Sequence, residues 1–274
     1  MTKLEIRNPF NAPVYYEEAV ESTMEVSRRL AQNGEPHGTV IAAGFQESGR
    51  GRIRDRIWQM EKNKGLPFTV LLRFPNIENI PPALTLRTGL AVSLAIEDFI
   101  SSIKDFVPPI EDFVPSAPSI KAQVAVKWPN DIMIGSKKIA GILCEAGGGI
   151  VHIGIGVNFA QKEFPASIVE KATSIALAAG TEIDIEQRFC LLEKILACLY
   201  NEIETGAGED WKRRLEQRLY KKNEKVVFID GAVGSGKEAG GVLAGITETG
   251  ELLIVPDGET AARSFITGEM VFPK

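Results

Sequence analysis

The sequence predicts an α/β (α+β) protein: a mixed, largely antiparallel sheet with flanking helices, followed by a small SH3-like β-barrel. Three observations predict it. Helix-period stretches alternate with β-branched apolar runs along most of the chain. Three strand-like segments (Val124–Trp128, Lys138–Glu145 and Ile150–Asn158) follow closely, with Gly135-Ser136 and Gly147-Gly148-Gly149 as turns, which is the pattern of an antiparallel meander. From Lys225 onward, short strands alternate with the turns Asp230-Gly231, Thr249-Gly250 and Asp257-Gly258, the signature of a small barrel. The expected division is residues 1–222 and 223–274.

In chain order, Ser22 and Glu25 form a predicted capping box for a helix that carries Val26 and Leu30 inward and stops near Asn33-Gly34. Thr39–Phe45 and Leu66–Phe74 read as buried strands, and Pro82–Ile103 as a long, mostly buried helix. Residues 104–123 hold Pro108, Pro109, Pro115 and Pro118 without a period, and read as an inserted surface loop. Asp184–Glu204 is an amphipathic helix with Asp184 and Gln187 as a second capping box. Cys190 and Cys198 lie beside its apolar face as packing thiols. Trp211–Tyr220 is a further helix, and the basic run Lys212–Lys225 reads as its solvated side.

Composition excludes several classes. The 274 residues carry a net charge of −5, against the basic excess of a general nucleic-acid binder. Three cysteines and two isolated histidines offer no metal-ligand spacing, so metal ligands stay unassigned. No run is apolar enough to cross a membrane, and cytoplasmic residence is expected.

Chemistry concentrates in three stretches. In Gly44–Trp58, GFQESGRGRIRDRIW, Gly44, Gly49 and Gly51 alternate with Arg50, Arg52, Arg54 and Arg56 just after a strand. Glycine lets a backbone approach an anion, and arginine offers a charged planar fork to carboxylate or phosphate. Anion binding and a solvated basic loop both fit. In Val124–Asp131, Lys127 shares a strand face with Ala125, opposite Val124, Val126 and Trp128. It projects either over a pocket or into solvent. In Ile150–Asn158, Gly154, Gly156 and Asn158 share one face, a flat floor for a helix or for a planar ligand. A fourth stretch, GAVGSGKE at Gly231–Glu238, imitates a phosphate loop, but has Glu238 where the hydroxyl should be and lies among short strands. It reads as a hairpin turn.

GRGR, KWPND, the run Lys138–Glu145 (KIAGILCE) and the glycine-faced strand, in this order, resemble the biotin protein ligase family over most of residues 20–160. The terminal barrel agrees with that family's last domain. The resemblance implies a two-step reaction: biotin and MgATP give biotinyl-5′-AMP and pyrophosphate, then the acyl group passes to a lysine of a biotin carboxyl carrier protein. It places Ser22, Thr23, Gln46, Gly49, Arg50 and Gly51 at biotin, with Gly154 and Gly156 as floor. Arg50 would meet the biotin carboxylate and Arg52 the phosphate. Lys127 would lie at the reacting carboxyl and α-phosphate, which makes Lys127 and Arg52 the catalytic pair. Trp58, Asn130, Lys138 and Asn158 would face ATP.

The chain departs from the family pattern in two places. Met24 replaces a polar residue after Ser-Thr, and Ile53–Ile57 lacks the glycine usual between GRGR and Trp. With so few residues before Ser22, no helix-turn-helix domain and no nucleic-acid partner are expected. A lipoate–protein ligase and a binding-only protein that keeps the adenylate pocket are the alternatives, and a homodimer stays open.

Overall fold

The computed structural model describes residues 1–52, 58, 60–103, 124–205, 209–231 and 237–272. The Pro-rich insert, Arg54, Asp55 and Arg56, and the centre of the GAVGSGKE run lie outside the described residues.

Two short strands, β1 (Thr2–Lys3) and β2 (Val14–Glu17), lead into helix α1 (Thr23–Gln32). Ser22 caps α1, its Oγ accepting the Met24 N–H at 3.3 Å, and Gly34 turns the chain away at φ 83°. The expected capping box is only half made. The Glu25 carboxylate turns to Arg28 at 2.6 Å, because a guanidinium one turn on offers a charged partner.

Strands β3 (Thr39–Ala43) and β4 (Gly65–Arg73) precede α2 (Leu84–Ser102), and β5 (Val124–Lys127), β6 (Asp131–Ile134), β7 (Lys137–Gly147) and β8 (Ile150–Asn158) follow it. The predicted meander is there with one more strand than expected. Asn130-Asp131 carries a turn signal, but Asp131 already opens β6. The eight strands run in the order β1-β2-β3-β4-β8-β7-β6-β5, with only β2 and β3 parallel.

Period-two alternation divides the sheet's faces. Ala42, Phe68, Ile155 and Ile142 pair in one cross-strand row and belong to the main core with Leu90, Ile96 and Phe99 of α2. On the other face, Ile41 and Ala43 pack with Val26 and Leu30 of α1. Helices α3 (Ile175–Ala179), α4 (Arg188–Ile203) and α5 (Trp211–Glu216) complete the first part, and the α4 residues Leu192, Leu196 and Leu199 join the main core.

Four expectations need correction here. Asp184 caps a 3-10 turn, Ile185–Gln187, and the α-helix begins only at Arg188. Cys190 is exposed, pointing away from the apolar stripe. The helix expected to reach Tyr220 ends at Glu216, where the chain turns to run beside β5: Val126 N–H donates to the Arg218 carbonyl and Tyr220 N–H to the Val126 carbonyl. The basic run is not merely solvated, for Arg214 pairs with the buried Glu202 and Arg218 with Glu97.

The last part is a five-stranded antiparallel sheet of β9 (Lys225–Asp230), β10 (Lys237–Ile246), β11 (Leu252–Pro256), β12 (Arg263–Phe265) and β13 (Gly268–Val271), in the order β12-β11-β10-β9-β13. Strands β9 and β10 pair antiparallel on either side of the GAVGSGKE run, the setting of a hairpin. The main core continues into this sheet through Trp128, Phe228, Leu252 and Met270. The Trp128 indole N–H donates to the Gly250 carbonyl at 3.0 Å. Gly250 has φ 87° and a Cβ there would lie 2.6 Å from that of Ala83, so only glycine lets this turn rest on the start of α2.

Candidate active site

Register builds the site. Directly paired residues in a sheet point to the same side, so Lys127, Asp131, Gly141, Gly156 and Pro67 form one row across β5, β6, β7, β8 and β4. It lies on the α1 side. Gly154 is two residues from Gly156 on that side, and a Cβ there would meet Met24 Sδ of α1 at 2.8 Å. The row is thus bare in its middle, with a lysine at its β5 end. Lys127 is half-buried, while Val124, Val126 and Trp128 are buried on the opposite side, as the strand period predicts.

The glycine floor is covered by two side chains. Met24 lies on Gly154, so the helix reading holds at that end. The Trp58 indole lies on Gly156 and Gly141, where added Cβ atoms would sit 2.7 and 2.9 Å from its ring. Its Nε1–H is buried and meets no acceptor among the described residues. The Lys138 ammonium stands 5.2 Å from the same ring and pairs with Asp131 at 2.5 Å.

A hydrogen-bonded chain closes the α1 end. Thr69 Oγ1 donates to Thr23 Oγ1 at 2.8 Å, while the Thr23 N–H and hydroxyl both reach Gln46 Oε1, at 2.9 and 3.0 Å. Thr23 and Thr69 are buried, so this chain fixes the Gln46 amide. Ser22 is occupied as the helix cap. Gly49 is buried, its carbonyl taken by the Trp58 N–H at 2.9 Å; a Cβ there would crowd Trp58 O and Gln46 Nε2 at 3.1 and 3.2 Å. Gly51 is half-buried between two exposed arginines. Arg50 lies close enough to Glu25 to help lower its pKa, after the larger effect of its hydrogen bond to Arg28. Arg52 donates from Nη2 to the Gly268 carbonyl of β13 at 2.9 Å.

The other expected nucleotide residues serve the backbone here. Asn130 Nδ2 donates to the Ile142 carbonyl at 2.8 Å, and the Ile142 N–H returns to the Asn130 carbonyl at 3.0 Å, tying the KWPND turn to β7. Asn158 is buried, its Nδ2 donating to the Thr173 carbonyl at 2.9 Å. Sequence reasoning missed Thr69, Asp131 and Gly141 as members of the site. The signal for Gly141 was present, since it is the glycine of KIAGIL. The contributions of Gly268 and of Phe272, whose ring lies 5.3 Å from Lys127 Nζ, had none. Among the described residues, no three His, Cys, Asp or Glu side chains could together hold a metal ion.

The sheet is thus paved with glycine, with Lys127 on its edge strand, Lys138 beside Gly141 and an arginine-bearing loop nearby. The chain belongs to the biotin/lipoate A/B protein ligase family, whose sequence profile matches residues 16–159. Within that class its similarity falls on biotin ligases. It is 34% identical over 191 residues to the bifunctional ligase/repressor BirA of Bacillus subtilis, covering 67% of this chain and 51% of that protein. It is 27% identical to the biotin–[acetyl-CoA-carboxylase] ligase of Paracoccus denitrificans over 78% of this chain and 82% of that one. The biotin protein ligase of Aquifex aeolicus, solved with biotin and ATP, shares 28% identity and a TM-score of 0.70 over 94% of this chain and 97% of its own. The chain spans about half the length of the Bacillus relative. No helix among the described residues is long and apolar enough to cross a membrane.

Proposed function

We propose that the chain is an ATP-dependent biotin–protein ligase, with residues 1–222 as its catalytic part and residues 223–274 as a small barrel. The observation that carries this reading is the bare row across the sheet, with Gly141 and Gly156 in its middle and Lys127 at its end. A flat acyl-nucleotide needs such a floor, and its phosphate needs such a cation.

In the first step a biotin carboxylate oxygen attacks the α-phosphorus of ATP, the bond to the β-phosphate oxygen breaks, and pyrophosphate leaves. Charge accumulates on the α-phosphoryl oxygens, where Lys127 and Arg52 act as fixed cations. Arg50 holds the biotin carboxylate. Ser22, Thr23, Gln46, Gly49 and Gly51 line the biotin end, with Gly154 and Gly156 beneath. Trp58, Asn130, Lys138 and Asn158 serve the nucleotide, Trp58 and Lys138 through the ring and ammonium already stacked beside Gly141. Magnesium enters on the ATP phosphates, as a substrate complex that keeps several waters.

In the second step an uncharged lysine amine of a biotin carboxyl carrier protein attacks the acyl carbon. An amide forms, AMP departs with the electron pair of the broken C–O bond, and the amine loses a proton. Approximation supplies most of this step. The site of action is the cytoplasm. The test is pyrophosphate exchange into ATP: biotin-dependent exchange supports the reading, and lipoate-dependent exchange transfers the substrate to lipoate. Lys127→Ala should cut exchange by on the order of 10²–10³ while circular dichroism stays unchanged. Near-normal activity would remove Lys127 from the mechanism.

A further inference from the structure

Gly154 pairs directly with Thr69 across β8 and β4. The polar chain Thr69–Thr23–Gln46 therefore stands beside the same patch of floor that Met24 covers. Walls of opposite character meet there. One is polar and tied: Thr23 donates twice to the Gln46 amide oxygen, which sets Gln46 Nε2 beside Gly49 as a donor. The other is apolar and movable. Met24 is buried, yet among the described residues it joins neither of the two apolar clusters. Its backbone N–H is held by the Ser22 cap at 3.3 Å. Its Sδ and Cγ lie over Gly154, where a Cβ would sit 2.8 and 3.2 Å from them. An unbranched, flexible thioether can change its path without moving the helix.

We propose that Met24 is a specificity-determining residue, the adjustable wall that fits the sulfur-bearing ring of biotin; the inference rests on the ligase reading of this end of the site. Biotin is a fused bicycle with a urea on one side and a saturated thioether ring on the other. The urea needs hydrogen-bond partners, since a buried polar group without them is costly. The Thr69–Thr23–Gln46 chain is the polar wall at Gly154, so the urea belongs there. That leaves the thioether ring, which carries no strong donor or acceptor, for Met24. The Met24 side chain lies on the floor itself, so the ring enters only as that side chain slides along β8 and packs against it. A soft wall of this kind sets how much bulk the site accepts at the ring sulfur.

Met24→Ala removes the wall, and biotin sulfone is bulkier than biotin at the ring sulfur. The ratio of exchange kcat/KM for biotin over the sulfone should fall by about tenfold or more in Met24→Ala. Lost packing alone would lower both substrates together and leave that ratio unchanged. Met24→Ile roughly conserves volume, so the fold is kept, but β-branching leaves a single favoured χ1 in a helix. KM for biotin should then rise about tenfold with kcat within about twofold, whereas Met24→Leu should stay within about threefold of the wild type on both. A readout free of turnover is carbon-13 methyl NMR of the five methionines. The Met24 signal, assigned with Met24→Leu, should move at saturating biotin. An unchanged ratio in Met24→Ala, an unchanged KM in Met24→Ile or an unmoved methyl signal would overturn the inference alone. A wild-type protein without biotin-dependent exchange would overturn the ligase reading as well.

Discussion

Gly156→Ala tests the floor of the site most directly. The position is ordinary strand backbone, so alanine costs nothing in φ and should strengthen β8 slightly. The difficulty is the Trp58 ring. A Cβ at residue 156 would lie 2.7 Å from Cε2, 2.9 Å from Nε1 and 3.0 Å from Cζ2, whereas carbon atoms sit at about 3.5–4.0 Å. The indole must lift by roughly 1 Å, and overpacking of this kind costs about 1–3 kcal/mol. If the nucleotide binds where Trp58, Gly141 and Gly156 meet, exchange kcat/KM for ATP should fall by a factor of about 5 to 150, and the thermal midpoint should fall with it, because the same contact is made in the ligand-free fold. Trp58 fluorescence, read in a protein whose Trp128 and Trp211 are buried, should change with it. Gly147→Ala is the control, since nothing lies within 4 Å of a Cβ there. In a Trp58→Ala background the penalty at Gly156 should shrink sharply, as a double-mutant cycle would show. Wild-type kinetics in Gly156→Ala would refute the reasoning, because the close contact would then have no functional meaning.

Thr69→Val removes the donor to Thr23 Oγ1 and should cost about 1–3 kcal/mol of stability, together with a rise in KM for biotin; an unchanged KM would detach Gln46 from the biotin end. Trypsin cleavage after Arg50 and Arg52 should slow when biotin and ATP are added together, and equal digestion rates would contradict an anion role for these arginines. Burial, helped by the nearby Arg28 charge, holds the His152 imidazole below its ordinary value of 6.5. Stability is then complete above that pH and falls as pH drops below it, because the unfolded chain takes up a proton that the folded one resists. The thermal midpoint should decline between about pH 7 and pH 5.5, more in the wild type than in His152→Gln, and parallel curves would exclude the imidazole as the cause.

Local periodicity made much of this legible. The alternation of Val124, Val126 and Trp128 with Lys127 placed the lysine on the open side of the sheet, and Gly154 with Gly156 marked a floor. Strand β6 was hidden because Asn130-Asp131 carries a strong turn signal and only three residues separate it from the turn at Gly135. The capping box failed because Arg28, a residue outside the motif, competes for Glu25. Cross-sheet neighbours are a matter of register, so nothing in the sequence put Gly141 beside Gly156 or Thr69 beside Thr23. Least legible was the terminal sheet's part, where Gly268 and Phe272 meet residues more than a hundred positions away.

Trp128 sits beside the site lysine in sequence and yet belongs to the interior shared with the last fifty residues or so. Its indole leans on the Gly250 carbonyl and on Phe228. Melting should therefore proceed as a single cooperative event across both sheets, and a protease cut near residue 223 would loosen the lysine's own strand from behind. The terminal segment is structurally a foundation of the larger sheet, so it could not be exchanged for a foreign module without refitting the ground beneath Lys127.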